Sequence, residues 1–341
     1  MKNTKTDKGQ MSEDDIRPYS LYNNEKEEAY EWDRNFLLQN KDKFEYIDCP
    51  ACASANHTFK FTKKEIDYCS CGDCNTVFVN PRPSLGVLHQ FYSQSKNYAY
   101  WAKHIFPASE ETRKEKIFKP RASKIIEYAD KLLINYSSVL EIGAGYGTMS
   151  AALVESKRFE RVIATELTEA LAETCRERGL ETLELPVENL PGDIRVDIIA
   201  SFEVIEHLYS VEEFLTSCHN HLHDEGLLIL SCPNFHGFDF QILGEVYGNI
   251  DHEHLNYFNP DSLKLLIERF KFEVVEMLTP GKLDADIVRN KALKGEINLE
   301  NNTFLKTVLL DKWEESGEAF QEFLSNNMMS GHMWAVARKI S

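Results

Sequence analysis

The stretch Val139-Leu140-Glu141-Ile142-Gly143-Ala144-Gly145-Tyr146-Gly147 joins a short apolar run to a glycine turn by way of a carboxylate. Val139 to Ile142, following the polar Ser137-Ser138, has the form of a strand buried on both faces of a parallel sheet. Gly143, Gly145 and Gly147 allow the backbone to turn sharply and approach a ligand that a side chain would keep away. A dinucleotide fingerprint would place its third glycine at position 148, which is Thr148, so the spacing disfavours NAD or FAD. An ordinary strand-to-helix turn also fits a glycine run. The expectation is a nucleoside-cofactor site.

Apolar strands and amphipathic helices alternate on either side of this turn. Val162 to Thr165, Thr182 to Leu185, Asp197 to Ser201 and Leu227 to Ser231 read as further strands, with helices to about Ser156 and Arg178. That alternation predicts an α/β fold with a doubly wound parallel sheet. Phe272 to Leu278 and Met333 to Lys339 are two more strands, and the pair suggests an antiparallel edge. The chain divides into a disordered tail (1–20), an amino-terminal helix and cysteine-bearing region (21–109), the core (110–281), a helical insert (282–330) and a final core strand (331–341).

In an open α/β sheet, ligands lie across the carboxyl ends of the strands. Glu166, with Leu167 beside it, closes the second strand, where a carboxylate can accept from both hydroxyls of a ribose. Val187 and Glu188 follow the third strand and suit an adenine edge. Phe202 and Glu203 follow the fourth and would line the far end of the cofactor. Any one acidic residue at such a position also fits a helix cap; their joint order favours a cofactor.

These motifs resemble the class I S-adenosylmethionine-dependent methyltransferases. The matching residues are Glu141-Ile142-Gly143-Ala144-Gly145-Tyr146-Gly147, Glu166, Val187-Glu188-Asn189-Leu190-Pro191 and Phe202-Glu203-Val204-Ile205-Glu206-His207-Leu208. The resemblance implies a seven-stranded Rossmann-like sheet with an antiparallel last strand, S-adenosyl-L-methionine as cofactor, and transfer of its methyl group to a nucleophile.

Five of the eight cysteines lie between Cys49 and Cys74. Cys49-Pro-Ala-Cys52 and Cys71-Gly-Asp-Cys74 are two C-x-x-C knuckles with the spacing of a structural zinc ribbon. Four thiolates complete a tetrahedral shell, so such a metal organises structure and does no chemistry. Cys69 is a surplus thiol that could stand in for Cys71. Asp251-His252-Glu253-His254-Leu255-Asn256-Tyr257-Phe258 follows the fifth strand, where an acceptor would be presented. A histidine titrates near neutrality and can serve as general base, and in an extended segment His252 and His254 would face the same way.

Together the cysteine ribbon, the core and this His-Glu-His run look like the sugar C-methyltransferases acting on nucleotide-linked keto-deoxysugars. That resemblance maps the family's Glu-His pair onto Glu253 and His254. It implies that His254 removes the proton beside a keto group, with aromatics between Phe91-Tyr92 and Tyr98 covering the site. The departure is the helical insert, which stands where those enzymes carry a further α/β domain. Glu203-x-x-Glu206-His207 also resembles a metal-binding run of ubiquinone-pathway O-methyltransferases, its spacing setting three potential ligands on one helical face; the favoured reading is that Glu203 contacts the cofactor and His207 packs at the helix start, because side chains in one turn rarely complete a site.

The expected function is methylation of a small polar acceptor, a sugar or nucleotide sugar in glycan or metabolite biosynthesis, with His254 as base. The alternatives are O-methylation of a phenolic or quinone-like molecule and a noncatalytic cofactor-binding interaction module. With 55 acidic against 38 basic residues and a net charge of -17, nucleic acid is not an expected partner. No apolar run approaches the roughly 20 residues of a membrane span, and no signal-peptide core opens the sequence, so a cytoplasmic protein is expected. Oligomeric state is not written in these features.

Overall fold

A computed structural model describes residues 12–341. Seven strands form the central sheet: β1 (Ser138–Ile142), β2 (Arg161–Thr165), β3 (Glu181–Leu183), β4 (Val196–Phe202), β5 (Leu222–Pro233), β6 (Phe272–Leu278) and β7 (His332–Lys339). Their spatial order is β6-β7-β5-β4-β1-β2-β3. β3, β2, β1, β4 and β5 pair in parallel, and β7 runs antiparallel to both β5 and β6. The order reverses between β1 and β4, which is where a doubly wound sheet opens a crevice at its carboxyl edge. β1 is buried throughout: Leu140 and Ile142 pack into the core on one face and Val139 into the core on the other.

The amino-terminal side of the chain departs from expectation in one respect. Of the expected tail, residues 1–11 lie outside the described residues, but the segment from Ser12 onward is ordered. Glu13–Ile16 is a helical turn started by Ser12, whose N–H donates to Asp15 Oδ2 at 2.8 Å. Ile16 is buried, and the turn packs on the helix Phe106–Arg113. A polar average hides one well-placed apolar residue.

The long helical run over residues 96–132 is interrupted by π-helical turns at Trp101–Ile105 and Lys114–Phe118. It crosses the expected boundary at 109–110 without a break. Such π turns reset which side chains face a neighbour and recur near functional sites.

The cysteine-bearing strands His57–Lys63, Ile66–Cys71 and Val77–Val79 form an antiparallel sheet whose fourth strand, Asn256–Tyr257, comes from the segment carrying the histidines. Arg82 is fully buried at this junction and donates to Asn256 Oδ1 at 2.9 Å and to the Tyr209 carbonyl at 3.0 Å. The cysteine-bearing sheet is therefore built into the edge of the core. Residues 282–330 are helical as expected, at Asp284–Leu293, Thr303–Lys306 and Trp313–Asn326, with a π turn at Thr307–Asp311. No helix among the described residues is long and apolar enough to cross a membrane.

Candidate functional site

The glycine turn is held by the strand beside it. Gly143 and Ala144 N–H donate to the Thr165 carbonyl at 3.0 and 2.9 Å, and Gly145 N–H donates to Glu166 Oε2 at 2.8 Å. Glu166 also accepts from Thr168 N–H at 2.8 Å. Gly143 adopts φ +74°, and a Cβ there would meet Val204 Cγ2 at 2.5 Å. Glycine is thus demanded twice over, by backbone conformation and by the approach of the β4 loop. Glu141 is buried and accepts a hydrogen bond from Ser150 Oγ. Burial pushes its carboxyl up to about 8, against the opposing effect of that hydrogen bond.

This shift has a measurable sign. The folded, cofactor-free chain holds the Glu141 proton between the ordinary value of 4.5 and about 8, so stability from this group falls as pH rises through that window. Glu141→Gln is expected to melt higher than the wild type at pH 8.5 and close to it at pH 5. Thermal melts at the two pH values check this.

The other expected cofactor residues fall along the same edge. Leu167 is exposed, Val187 is buried within the turn Val187–Asn189, and Glu188 is exposed. Phe202 packs against Trp334 with ring centroids 5.1 Å apart, and Arg121 lies over its ring at 4.8 Å. Glu203, 42% exposed, adopts φ +57°, accepts from Ser231 Oγ at 2.6 Å and faces His332 Nδ1 at 3.4 Å.

The histidine segment is a turn at residues 251–253 and not an extended strand, so His252 and His254 part company. His252 is 4% exposed between Tyr30 and Phe91, ring centroids 4.6 and 6.0 Å away, and neither ring nitrogen has a hydrogen-bond partner among the described residues. Burial pulls it down to about 4, so at neutral pH the ring is uncharged, and it packs with the two aromatics. Glu253 does not hydrogen-bond to His254; its Oε1 accepts from Asn97 Nδ2 at 2.5 Å. Burial, reinforced by the Asp251 charge, raises its carboxyl to about 8. Of the aromatics expected to cover the site, Tyr92 Oη donates to the His207 carbonyl at 3.4 Å and its ring meets Tyr98 edge-on at 5.8 Å.

His254 lies 4.6 Å, ring to ring, from His207. Its Nδ1 is 2.9 Å from the Asn249 carbonyl, and a carbonyl can only accept, so Nδ1 carries the proton and Nε2 the lone pair of the neutral ring. His207 is fixed in the same way, with Nδ1 donating to the Glu253 carbonyl at 2.9 Å; its pKa is drawn down to about 3, chiefly by burial. Glu206 is buried with both carboxylate oxygens lacking a hydrogen-bond partner, and burial beside Glu203 raises its pKa far above the usual range.

Sequence spacing sets Glu203, Glu206 and His207 on one helical face, but Ile205–His207 is a single tight turn. Glu203 is drawn to Ser231 and His332, while Glu206 and His207 gather with His254, their candidate ligand atoms within 4.8 Å of one another.

The four knuckle cysteines also converge, with Cys49 Sγ 3.5 Å from Cys74 Sγ, Cys52 Sγ 3.5 Å from Cys71 Sγ, and all four sulfurs within 4.8 Å. Zinc–sulfur bonds of about 2.3 Å in a tetrahedron place sulfurs roughly 3.8 Å apart, which this donor set fits. Asp73 N–H points at Cys71 Sγ at 3.4 Å, an outer hydrogen bond of the kind that steadies a metal thiolate. Cys69 is outside the group, 3.8 Å from the Asn80 carbonyl, so Cys71 is the fourth member.

Ser150, Thr168, Asn249 and His332 join the site without any sequence signal, since each acts through a neighbour that no motif singles out.

A family model described as a methyltransferase domain matches residues 101–277. A probable S-adenosylmethionine-dependent methyltransferase of Mycobacterium tuberculosis is 36% identical over 101 residues, covering 28% of this chain and 35% of that protein. A ubiquinone biosynthesis O-methyltransferase of Rickettsia conorii is 27% identical over 176 residues, covering 48% and 54%. The matched region thus spans about a third to a half of the length of these curated relatives. A solved S-adenosylmethionine-dependent methyltransferase from Clostridium acetobutylicum superposes with a TM-score of 0.44 at 11% identity, over 66% of this chain and 92% of that one. With more than half of its length matched by the family model, the chain belongs to the methyltransferase domain family.

Proposed function

We propose that this chain is an S-adenosylmethionine-dependent methyltransferase acting on a small polar acceptor, with His254 as general base and zinc held by Cys49, Cys52, Cys71 and Cys74. When bound, the cofactor supplies a methyl group made electrophilic by its positive sulfur. Glu166, Gly143 and Gly145 would hold its nucleoside, and Phe202 and Glu203 its far end. The observation that carries the base assignment is the His254 Nδ1 contact with the Asn249 carbonyl, which orients the ring and leaves Nε2 to take an acceptor proton. A sugar or nucleotide sugar is the acceptor class favoured by the sequence resemblance.

The cofactor site has a direct test. Gly143→Ala forces a Cβ toward Val204 in a left-handed backbone conformation, a strain of about 1–3 kcal/mol at the turn. Titration with S-adenosylhomocysteine is expected to show affinity at least tenfold weaker than wild type. Equal affinity would remove the turn from the cofactor site. Methyl transfer from labelled S-adenosylmethionine to a panel of sugars, nucleotide sugars and phenols then identifies the acceptor, and cofactor binding without turnover on any of them favours the noncatalytic module.

A second reading rests on the grouping of Glu206, His207 and His254, two imidazoles and a carboxylate that suit a divalent cation. It accompanies O-methylation of a phenolic acceptor, by analogy with the O-methyltransferase activity named for the Rickettsia relative. The two readings separate by brief treatment with EDTA that leaves a tetrathiolate zinc in place. Unchanged turnover supports the base reading, and loss restored by magnesium or manganese supports the cation.

A further inference from the structure

Three buried polar side chains meet where the helix Asn24–Gln39 passes the turn at residues 251–253, and they do not satisfy one another. Asp33, His252 and Glu253 each bring a ligand atom to within 4.8 Å of the other two. Asp33 is fully buried, and the side chains of His252 and Glu253 are only 1% and 13% exposed. Two carboxylates this close, with so little water between them, repel each other unless a cation or a proton is shared. Neither has a lysine or arginine ion-pair partner among the described residues.

The hydrogen bonds around them are incomplete in the same direction. Asp33 accepts from Ser95 Oγ at 2.5 Å and from the N–H groups of Lys96 and Asn97 at 2.8 and 3.2 Å, which starts the helix Lys96–Tyr100. A carboxylate offers about four acceptor positions, so one remains. Asn97 Nδ2 donates to Glu253 Oε1 at 2.5 Å, yet the Oδ1 of the same amide is buried with no partner. His252 is the decisive group. Helix capping accounts for the burial of Asp33, and packing on Tyr30 and Phe91 for that of the imidazole, but neither accounts for two buried ring nitrogens without a hydrogen bond. Its Nε2 stands 4.0 Å from Glu253 Oε1. That separation is too long for a hydrogen bond and close to the span of two metal–ligand bonds of about 2.1 Å.

We propose that Asp33, His252 and Glu253 bind a divalent cation, with Asn97 Oδ1 available as a fourth ligand and water completing the shell. Two carboxylates and an amide oxygen beside one imidazole suit manganese, whereas the four thiolates of the cysteine cluster suit zinc. The hydrogen bonds that Asp33 and Glu253 already accept are the outer contacts that orient ligating carboxylates. A cation here ties together the helix Asn24–Gln39, the start of the helix Lys96–Tyr100 and the turn before His254, segments far apart in the chain. It cancels the repulsion between the carboxylates, so its work is on stability and not on methyl transfer. The site shares no residue with the group of Glu206, His207 and His254 and does not depend on the identity of the methyl acceptor.

The test is titration of the full-length chain, its cysteine cluster loaded with zinc, with manganese(II), following loss of the free-ion EPR signal and the melting temperature. The wild type is expected to bind the ion saturably and to melt higher with it. Affinity should fall at least tenfold in Asp33→Asn, which keeps an acceptor for the helix start, and in His252→Gln, and the ion should no longer raise the melting temperature of either. Pulsed EPR of the bound ion should show coupling to a histidine nitrogen. No saturable binding by the wild type, equal binding by the wild type and both variants, or a bound ion without nitrogen coupling would overturn the proposal. So would binding lost in Glu206→Gln and kept in Asp33→Asn, because the ion would then sit with His207 and His254. If His252→Gln does not fold, Asp33→Asn decides alone.

Discussion

Replacing His254 with alanine is expected to lower turnover by about 100-fold or more, the scale of a lost general base, while S-adenosylhomocysteine affinity stays within about twofold of wild type. The split follows from placement. His254 belongs to the segment after β5 and contacts His207, Asn249 and Tyr257, whereas the cofactor turn is fixed by Thr165 and Glu166 on β2 and just beyond it. A group acting only as the proton moves should change kcat and kcat/KM together. His252→Ala provides the contrast: it empties a site between Tyr30 and Phe91, so it should lower the melting temperature and leave the turnover of the folded protein close to wild type. Equal rates for wild type and His254→Ala under single-turnover conditions would remove His254 from the chemistry.

The contrast between these two histidines also marks where sequence stopped being legible. The strand, turn and carboxylate around Glu141 to Gly147 were readable because they are local: apolar period, positive-φ glycines and an acid at a strand end all follow from neighbours in the chain. The doubly wound sheet followed from the alternation of strands and helices, and the antiparallel β7 from the methyltransferase resemblance. The direction of His252 was not readable, since it depends on Tyr30 and Phe91, more than 150 residues away, drawing that ring inward. Nor was the parting of Glu203 from Glu206. Residues three apart share a face only if the helix continues, and this turn ends at His207 as Leu208 turns to extended backbone.

Loss of metal from the cysteine cluster is expected to lower the melting temperature by about 10 °C or more and to abolish turnover, although the cluster is not part of the cofactor turn. The first effect follows from the four sulfurs closing two knuckles whose other side-chain links, from Ser54 and Asn56 to the Asp73 carboxylate, are exposed: Ala53 and Asn75 end the knuckles in left-handed conformations, and the strand His57–Lys63 between them carries a largely exposed outer face. The second follows from the shared sheet. Asn256–Tyr257 pairs with Val77–Phe78, so the strand beginning two residues after His254 is the edge strand of the sheet that the metal would organise. Arg82 fastens the same junction through Asn256 and the Leu255 carbonyl, and Tyr68 Oη donates to the Asp251 carbonyl at 2.9 Å. Releasing the metal therefore loosens His254 before it reaches Gly143. Elemental analysis should give one zinc per chain, reduced to near zero in Cys52→Ser/Cys74→Ser, and that variant should lose turnover while keeping S-adenosylhomocysteine binding within about tenfold. A zinc-free wild type with full turnover would show that hydrogen bonding and packing alone hold this sheet. A variant that loses cofactor binding and turnover together would show instead that the metal supports the whole core and not the edge that carries the base.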